Sequence, residues 1–345
     1  MVTMRRRTLL AGLAATAGAG ALSACAAGTP SATTSPASST SPGPSGSATM
    51  PASAAPILGS TTASSLAPQS VTARFTPPPG TAPASPFAVG KRVFEFSRGA
   101  DRPLPTTVWY PATGEAPASP DPADDARVAT GRYPVVLFSH GLTSQPADYE
   151  AMLARWAQAG FVVAGPTYPH TSYGATDFDS SDIVNQPADA SAVLDALLAL
   201  SDPLRGILDE DLLAAAGHSG GGITTAGLFS ARRDERLKAG VILAGTDFQG
   251  APLTGPSAAL LFVHGRKDKT VAYRAGHAVF EAVPWSRAML SITDGGHVTQ
   301  AGDFEATTAT STEFLRWALY GDVAARGRIP AAAQTGEVAT LETDL

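Results

Sequence analysis

Six short, almost uninterrupted apolar runs punctuate the chain, at residues 133–139, 161–165, 212–216, 241–244, 260–263 and 289–292. Runs of this length without polar alternation suit strands buried on both faces, as in a parallel sheet. Between them, residues 149–159, 188–200, 223–230, 273–282 and 312–320 carry apolar positions at helical spacing. Strand alternating with helix predicts an α/β fold with a mostly parallel central sheet and helices on both faces. Two earlier runs, 93–96 and 106–110, read as strands of an opening hairpin turned by Asp101, Arg102 and Pro103. Only fifteen residues separate the fourth run from the fifth, too few for an inserted lid domain.

The pattern fails over residues 28–86, where Ser, Thr, Ala, Pro and Gly dominate and charge is almost absent. Such a stretch cannot bury enough apolar surface to offset its ordering entropy, and it is expected to be a disordered tether. The apolar islands at 57–58 and 71–75 are the places where it has something to dock with. The folded domain is expected over 87–322, followed by a C-terminal extension over 323–345.

Residues 1–27 read as an export signal: Arg5, Arg6 and Arg7, then an uncharged run of small and apolar residues. Twin-arginine and general secretory routes both fit this charged start. The run ends Leu22-Ser23-Ala24-Cys25, which resembles the bacterial lipoprotein box and makes Cys25 the expected site of lipidation. Two other readings stay open: an A-x-A cleavage site for free secretion, and retention as a membrane helix, which the many Ala and Gly residues disfavour. Cys25 is the only cysteine, so no internal disulfide competes for it. The formal net charge is −6, or −9 without the three signal arginines. An acidic chain argues against nucleic acid and against electrostatic binding to anionic lipid, leaving acyl chains as the expected membrane link.

Chemistry enters at Gly217-His218-Ser219-Gly220-Gly221, a G-x-S-x-G pentapeptide directly after the 212–216 run and directly before a helical stretch. In that setting the glycines allow a turn too tight for side chains, and Ser219 is placed to attack a carbonyl. A serine nucleophile needs a base to take its proton and an acid to orient that base. Asp268 lies just past the 260–263 run and His297 just past the 289–292 run. Each candidate thus leaves the carboxyl edge of its own strand, where open α/β sheets bind ligands. The alternatives are a plain turn cap for Asp268 and Asp247 as the acid, with His218 packed or hydrogen-bonded structurally and His277 on the surface of a helix. The oxyanion of a tetrahedral intermediate needs two backbone donors. Gly220 N–H is the expected first, and Leu142 N–H the second, with Thr143 N–H as alternative.

Residues 138–142, 217–221, 264–268 and 296–297 together resemble the α/β-hydrolase superfamily. The nearest likeness is to the branch of dienelactone-hydrolase-like proteins, platelet-activating-factor acetylhydrolase relatives and cutinase-like polyester hydrolases. Residues 102–111 look like the opening strand of that branch. Two departures stand out: dienelactone hydrolases use a cysteine where this chain has Ser219, and the C-terminal disulfide common in cutinase-like enzymes has no cysteines here. The resemblance implies an exported serine ester hydrolase working through an acyl-enzyme on a small, lipid or polymeric ester, with Ser219, His297 and Asp268 as the triad. It implies no cofactor, and no His, Asp or Glu cluster has metal-ligand spacing. An acyltransferase would use the same triad, and a non-catalytic surface binding lipoprotein would use the same fold. Leu142, Tyr168 and Phe248 are candidate pocket residues.

Overall fold

A computed structural model describes residues 66–297 and 301–345, all within Ser53–Leu345, one of two units into which the chain divides. The expected export signal, the expected lipidation site Cys25 and the expected tether up to residue 65 lie outside the described residues. Among the described residues ten strands form one sheet in the order β10-β9-β8-β7-β6-β4-β5-β2-β1-β3. They are β1 (Ala88–Ser97), β2 (Pro103–Ala112), β3 (Ala123–Asp124), β4 (Tyr133–Ser139), β5 (Val162–Pro166), β6 (Leu208–His218), β7 (Leu237–Leu243), β8 (Ala259–Gly265), β9 (Ser286–Ile292) and β10 (Ala339–Thr343). From β5 through β4, β6, β7 and β8 to β9 every pairing is parallel. The β1–β2 hairpin and β10 pair antiparallel at the two sides. This is the architecture of an α/β-hydrolase.

All seven residues of β4 are buried, and neighbours along it face opposite layers. Val135 and Leu137 pack with α2 (Gln186–Leu198), α3 (Gly220–Leu228) and α4 (Tyr273–Glu281). Val136 and Phe138 pack on the other face with α1 (Glu150–Gln158), α5 (Ala301–Tyr320) and α6 (Val323–Ala333). Burying each such side chain contributes roughly 1.5–3 kcal/mol, and the two-sided demand explains why these strands carry no polar alternation.

Three boundaries differ from the sequence expectation. The folded unit begins well before residue 87: Gln69 and Thr72 N–H donate to Glu281 O and Pro284 O, and Ala73 bridges Trp285. Phe75 is buried edge-on against Trp317, 6.1 Å between centroids, so the 71–75 island docks and anchors its polar surroundings. The 323–345 segment is α6 plus β10, part of the same layers and sheet. Finally, α5 runs from Ala301 rather than 312, because burial of its face outweighs the weak helix propensity of its Thr-rich first half.

Candidate active site

The turn between β6 and α3 carries Ser219 in a backbone conformation that L-residues rarely adopt, φ 56° and ψ −118°. Two glycines make the turn possible by close approach. A Cβ on Gly217 would lie 2.2 Å from Gly221 O, and one on Gly221 would lie 1.9 Å from Ser139 O. Ser219 N–H donates to Leu243 O at 2.9 Å, pinning the turn to the end of β7. Among the described residues six non-glycines have positive φ, and Thr143, Ser219 and Ala244 of these line one cavity. Each such conformation costs about 1–3 kcal/mol, and strain gathered at one concavity is characteristic of a functional site.

His297 follows β9 and reaches Ser219 from the far side of β8. Its Nε2 lies 2.7 Å from Ser219 Oγ, and its Nδ1 lies 2.8 Å from Asp268 Oδ2. With Nδ1–H donating to the carboxylate, Nε2 is left to accept the serine proton. Asp268 is buried after β8. Its Oδ1 accepts Thr270 N–H at 2.8 Å and Val271 N–H at 2.9 Å. His264 Nε2–H, which donates to Val271 O at 2.9 Å, also lies 3.3 Å from Oδ2. Burial pushes the Asp268 carboxyl up, but the hydrogen bonds from His264, His297 and the Thr270 amide outweigh it and hold the group well below the usual carboxylate range. The turn-cap reading and the orienting role therefore coexist on separate oxygens.

The runner-up acid is placed elsewhere: Asp247 Oδ1 accepts Gly250 N–H at 2.8 Å within its own loop. Asp294, close to His297 in sequence, instead meets Lys267 Nζ at 2.6 Å on the surface.

Among the oxyanion candidates Thr143 is removed, because its N–H donates to Thr171 O at 2.7 Å. Gly141 N–H is engaged with the Tyr149 hydroxyl at 3.2 Å. Leu142 N–H lies between these two bonded amides. Gly220 N–H is the first amide of α3, one of those a helix leaves without an intrahelical acceptor and one that carries the positive end of its dipole.

The cavity at this point holds about 500 Å³, within the range that takes a small organic ligand. Ser219 and His297 line it together with Leu142, Tyr149, Met152 and Phe304, so it extends between α1 and α5. Of the expected pocket residues only Leu142 lines it. Tyr168 is fully buried with its hydroxyl 2.8 Å from Ser139 Oγ, and Phe248 is core, pressed against Gly227. Both were drawn inward by the size of their apolar rings.

Tyr149, Met152, His264 and Phe304 escaped the sequence reading; only His264, at a strand end four residues before Asp268, carried a usable signal. A supporting ion cluster escaped it too. Arg102 donates to Asp182 at 2.9 and 2.7 Å and to Asp189 at 2.9 Å, tying the hairpin turn to the loop before α2 and to α2 itself. Ile183 of that loop stands beside Gly220.

Residues 117–251 match the chlorophyllase family model. This is an α/β-hydrolase-type esterase family, and the chain is similar to it over β4 to β7, including the loop after β4 and the Ser219 turn. Asp268 and His297 lie beyond the matched stretch. The likeness thus falls to the chlorophyllase family, while nothing in the match names dienelactone hydrolases, acetylhydrolases or cutinases. No curated protein matches the chain.

Proposed function

We propose that this chain is an exported serine hydrolase that cleaves carboxylic esters through an acyl-enzyme. The observation that carries the reading is the continuous contact from Ser219 Oγ through His297 to Asp268 Oδ2, 2.7 and 2.8 Å, with Ser219 and His297 lining a largely apolar cavity. Ser219 Oγ attacks the ester carbonyl as its proton passes to His297 Nε2, and the imidazolium is stabilised by the Asp268 carboxylate. The Leu142 and Gly220 amides hold the oxyanion. His297 returns the proton to the departing alkoxide, leaving the acyl group on Ser219. Water, deprotonated by the same Nε2, then releases the acid and restores the serine. The cavity favours an ester with one apolar arm lying between Tyr149, Met152 and Phe304.

The Cys25 signal supports a lipid-anchored envelope protein, with the acyl chains as its membrane link. Metabolic labelling with a fatty acid, lost in Cys25→Ser, checks that part.

For the activity, treatment of the full chain with a fluorophosphonate is expected to add one adduct, mapped by mass spectrometry to Ser219 and absent in Ser219→Ala. Labelling of another residue, or none on a folded chain, would overturn the reading.

A further inference from the structure

The x position of the pentapeptide, His218, makes contacts that reach both halves of the site. His297 O can only accept, so His218 Nε2, 2.7 Å away, carries a proton and donates it. Burial pushes the His218 imidazolium down to about 4, which leaves the ring neutral at pH 7 and its Nδ1 an acceptor. The Tyr149 hydroxyl, 2.9 Å from Nδ1, must then be the donor. Its oxygen in turn accepts Gly141 N–H at 3.2 Å.

Every bond in this series has one allowed direction: Gly141 N–H to Tyr149 O–H, on to His218, and from His218 to the His297 carbonyl. The series starts at the amide beside Leu142 and ends on the backbone of the histidine that faces Ser219. Packing keeps its middle in place: Tyr149 lies 4.7 Å from Phe138 and 5.6 Å from His218, and the His218 and His297 rings are 5.0 Å apart.

We propose that Tyr149 and His218 are positioning residues that fix the oxyanion loop and the His297 loop in mutual register. The inference rests on the triad reading given above. His218 acts through the His297 backbone and Tyr149 through the Gly141 amide; neither exchanges a proton with substrate. A neutral His218 also places no second positive charge beside His297 when the imidazolium forms.

The test is steady-state hydrolysis of p-nitrophenyl butyrate by the full chain, beside Ser219→Ala, Tyr149→Phe, His218→Leu, His218→Gln and the Tyr149→Phe/His218→Leu double variant. Thermal melts accompany each. Misplacing a catalytic group by about 1 Å costs about 10²-fold, so His218→Leu is expected to lower kcat on that scale with KM nearly unchanged. Gln offers both a donor and an acceptor and is expected to recover the larger part of kcat. The double variant is expected to be no worse than His218→Leu alone, because one series is broken only once.

The His297 Nδ1–H proton resonance, expected far downfield in wild type, should move in His218→Leu and return in His218→Gln. Activity lost in Ser219→Ala but kept in Tyr149→Phe and His218→Leu would overturn this inference alone. So would equal losses in the Leu and Gln variants, or losses that multiply in the double variant. Activity retained in Ser219→Ala would overturn the triad itself and this inference with it.

Discussion

Asp268 divides its two oxygens between a backbone turn and a pair of histidines. One closes the turn after β8 on two amides, and the other faces His297 and His264. Asp268→Asn keeps the shape but removes the charge that supports the imidazolium, and the expected loss in kcat is about 10⁴-fold, measured on an activated ester. Because the folded carboxyl is held below its usual range, its contribution to stability is present above the ordinary carboxyl pKa and is lost as pH falls toward the folded value. Acid unfolding at low pH should therefore be less steep in Asp268→Asn; an unchanged pH profile would contradict this. Ser219, Asp268 and His297 were legible in the sequence because each ends an apolar run and the glycines mark the turn. Tyr149, Met152 and Phe304 were not, because nothing local distinguishes a side chain facing a cavity from one facing the core. His218 could be read as hydrogen-bonded, but its partners come from other elements.

The β6–α3 connection works only with a backbone stripped of side chains at its crossing with β4. Gly221→Ala would place a methyl 1.9 Å from Ser139 O and force α3 away from the sheet. The expected loss in stability is about 3 kcal/mol or more, read from urea denaturation, and a variant as stable as wild type would refute the close approach. The space between α1 and α5 invites a second change at this scale. Met152→Trp fills the cavity while Ser219 stays open, so turnover of octanoyl or octyl esters should fall at least about tenfold relative to acetyl or methyl esters. Equal effects on short and long esters would show that the apolar arm lies elsewhere. Central strands were readable from burial on both faces. β3 and β10 were not, because short edge strands have polar faces and no run to betray them, and the first half of α5 was hidden by its threonines.

Taken as a whole, the molecule encloses two histidines in surroundings that favour the neutral ring, His140 fully buried and His218 half-buried. Burial pushes both His140 and His218 from 6.5 down to about 4. Between those values the unfolded chain binds protons at both sites and the folded chain does not, so stability rises with pH across this window. The contribution is complete above about pH 6.5 and is lost as pH falls toward 4, on the order of 3 kcal/mol for each ring. Melting temperatures at pH 7.5 and pH 5 should differ accordingly, and His218→Gln should remove part of the difference; a flat profile would contradict it. The folded unit is also larger than its composition suggested, since residues 66–86 and 323–345 are sealed onto it by Phe75, β10 and the backbone bonds to Glu281 and Pro284. The low-complexity sequence of the first and the lack of motif in the second concealed this. The central claim, ester hydrolysis through Ser219, is tested most directly by the turnover of p-nitrophenyl butyrate by the full chain beside folded Ser219→Ala. Turnover by wild type, reduced about 10⁶-fold in the variant, is the expected result. Turnover that survives the substitution, or a folded wild type that hydrolyses no ester of any chain length, would contradict it.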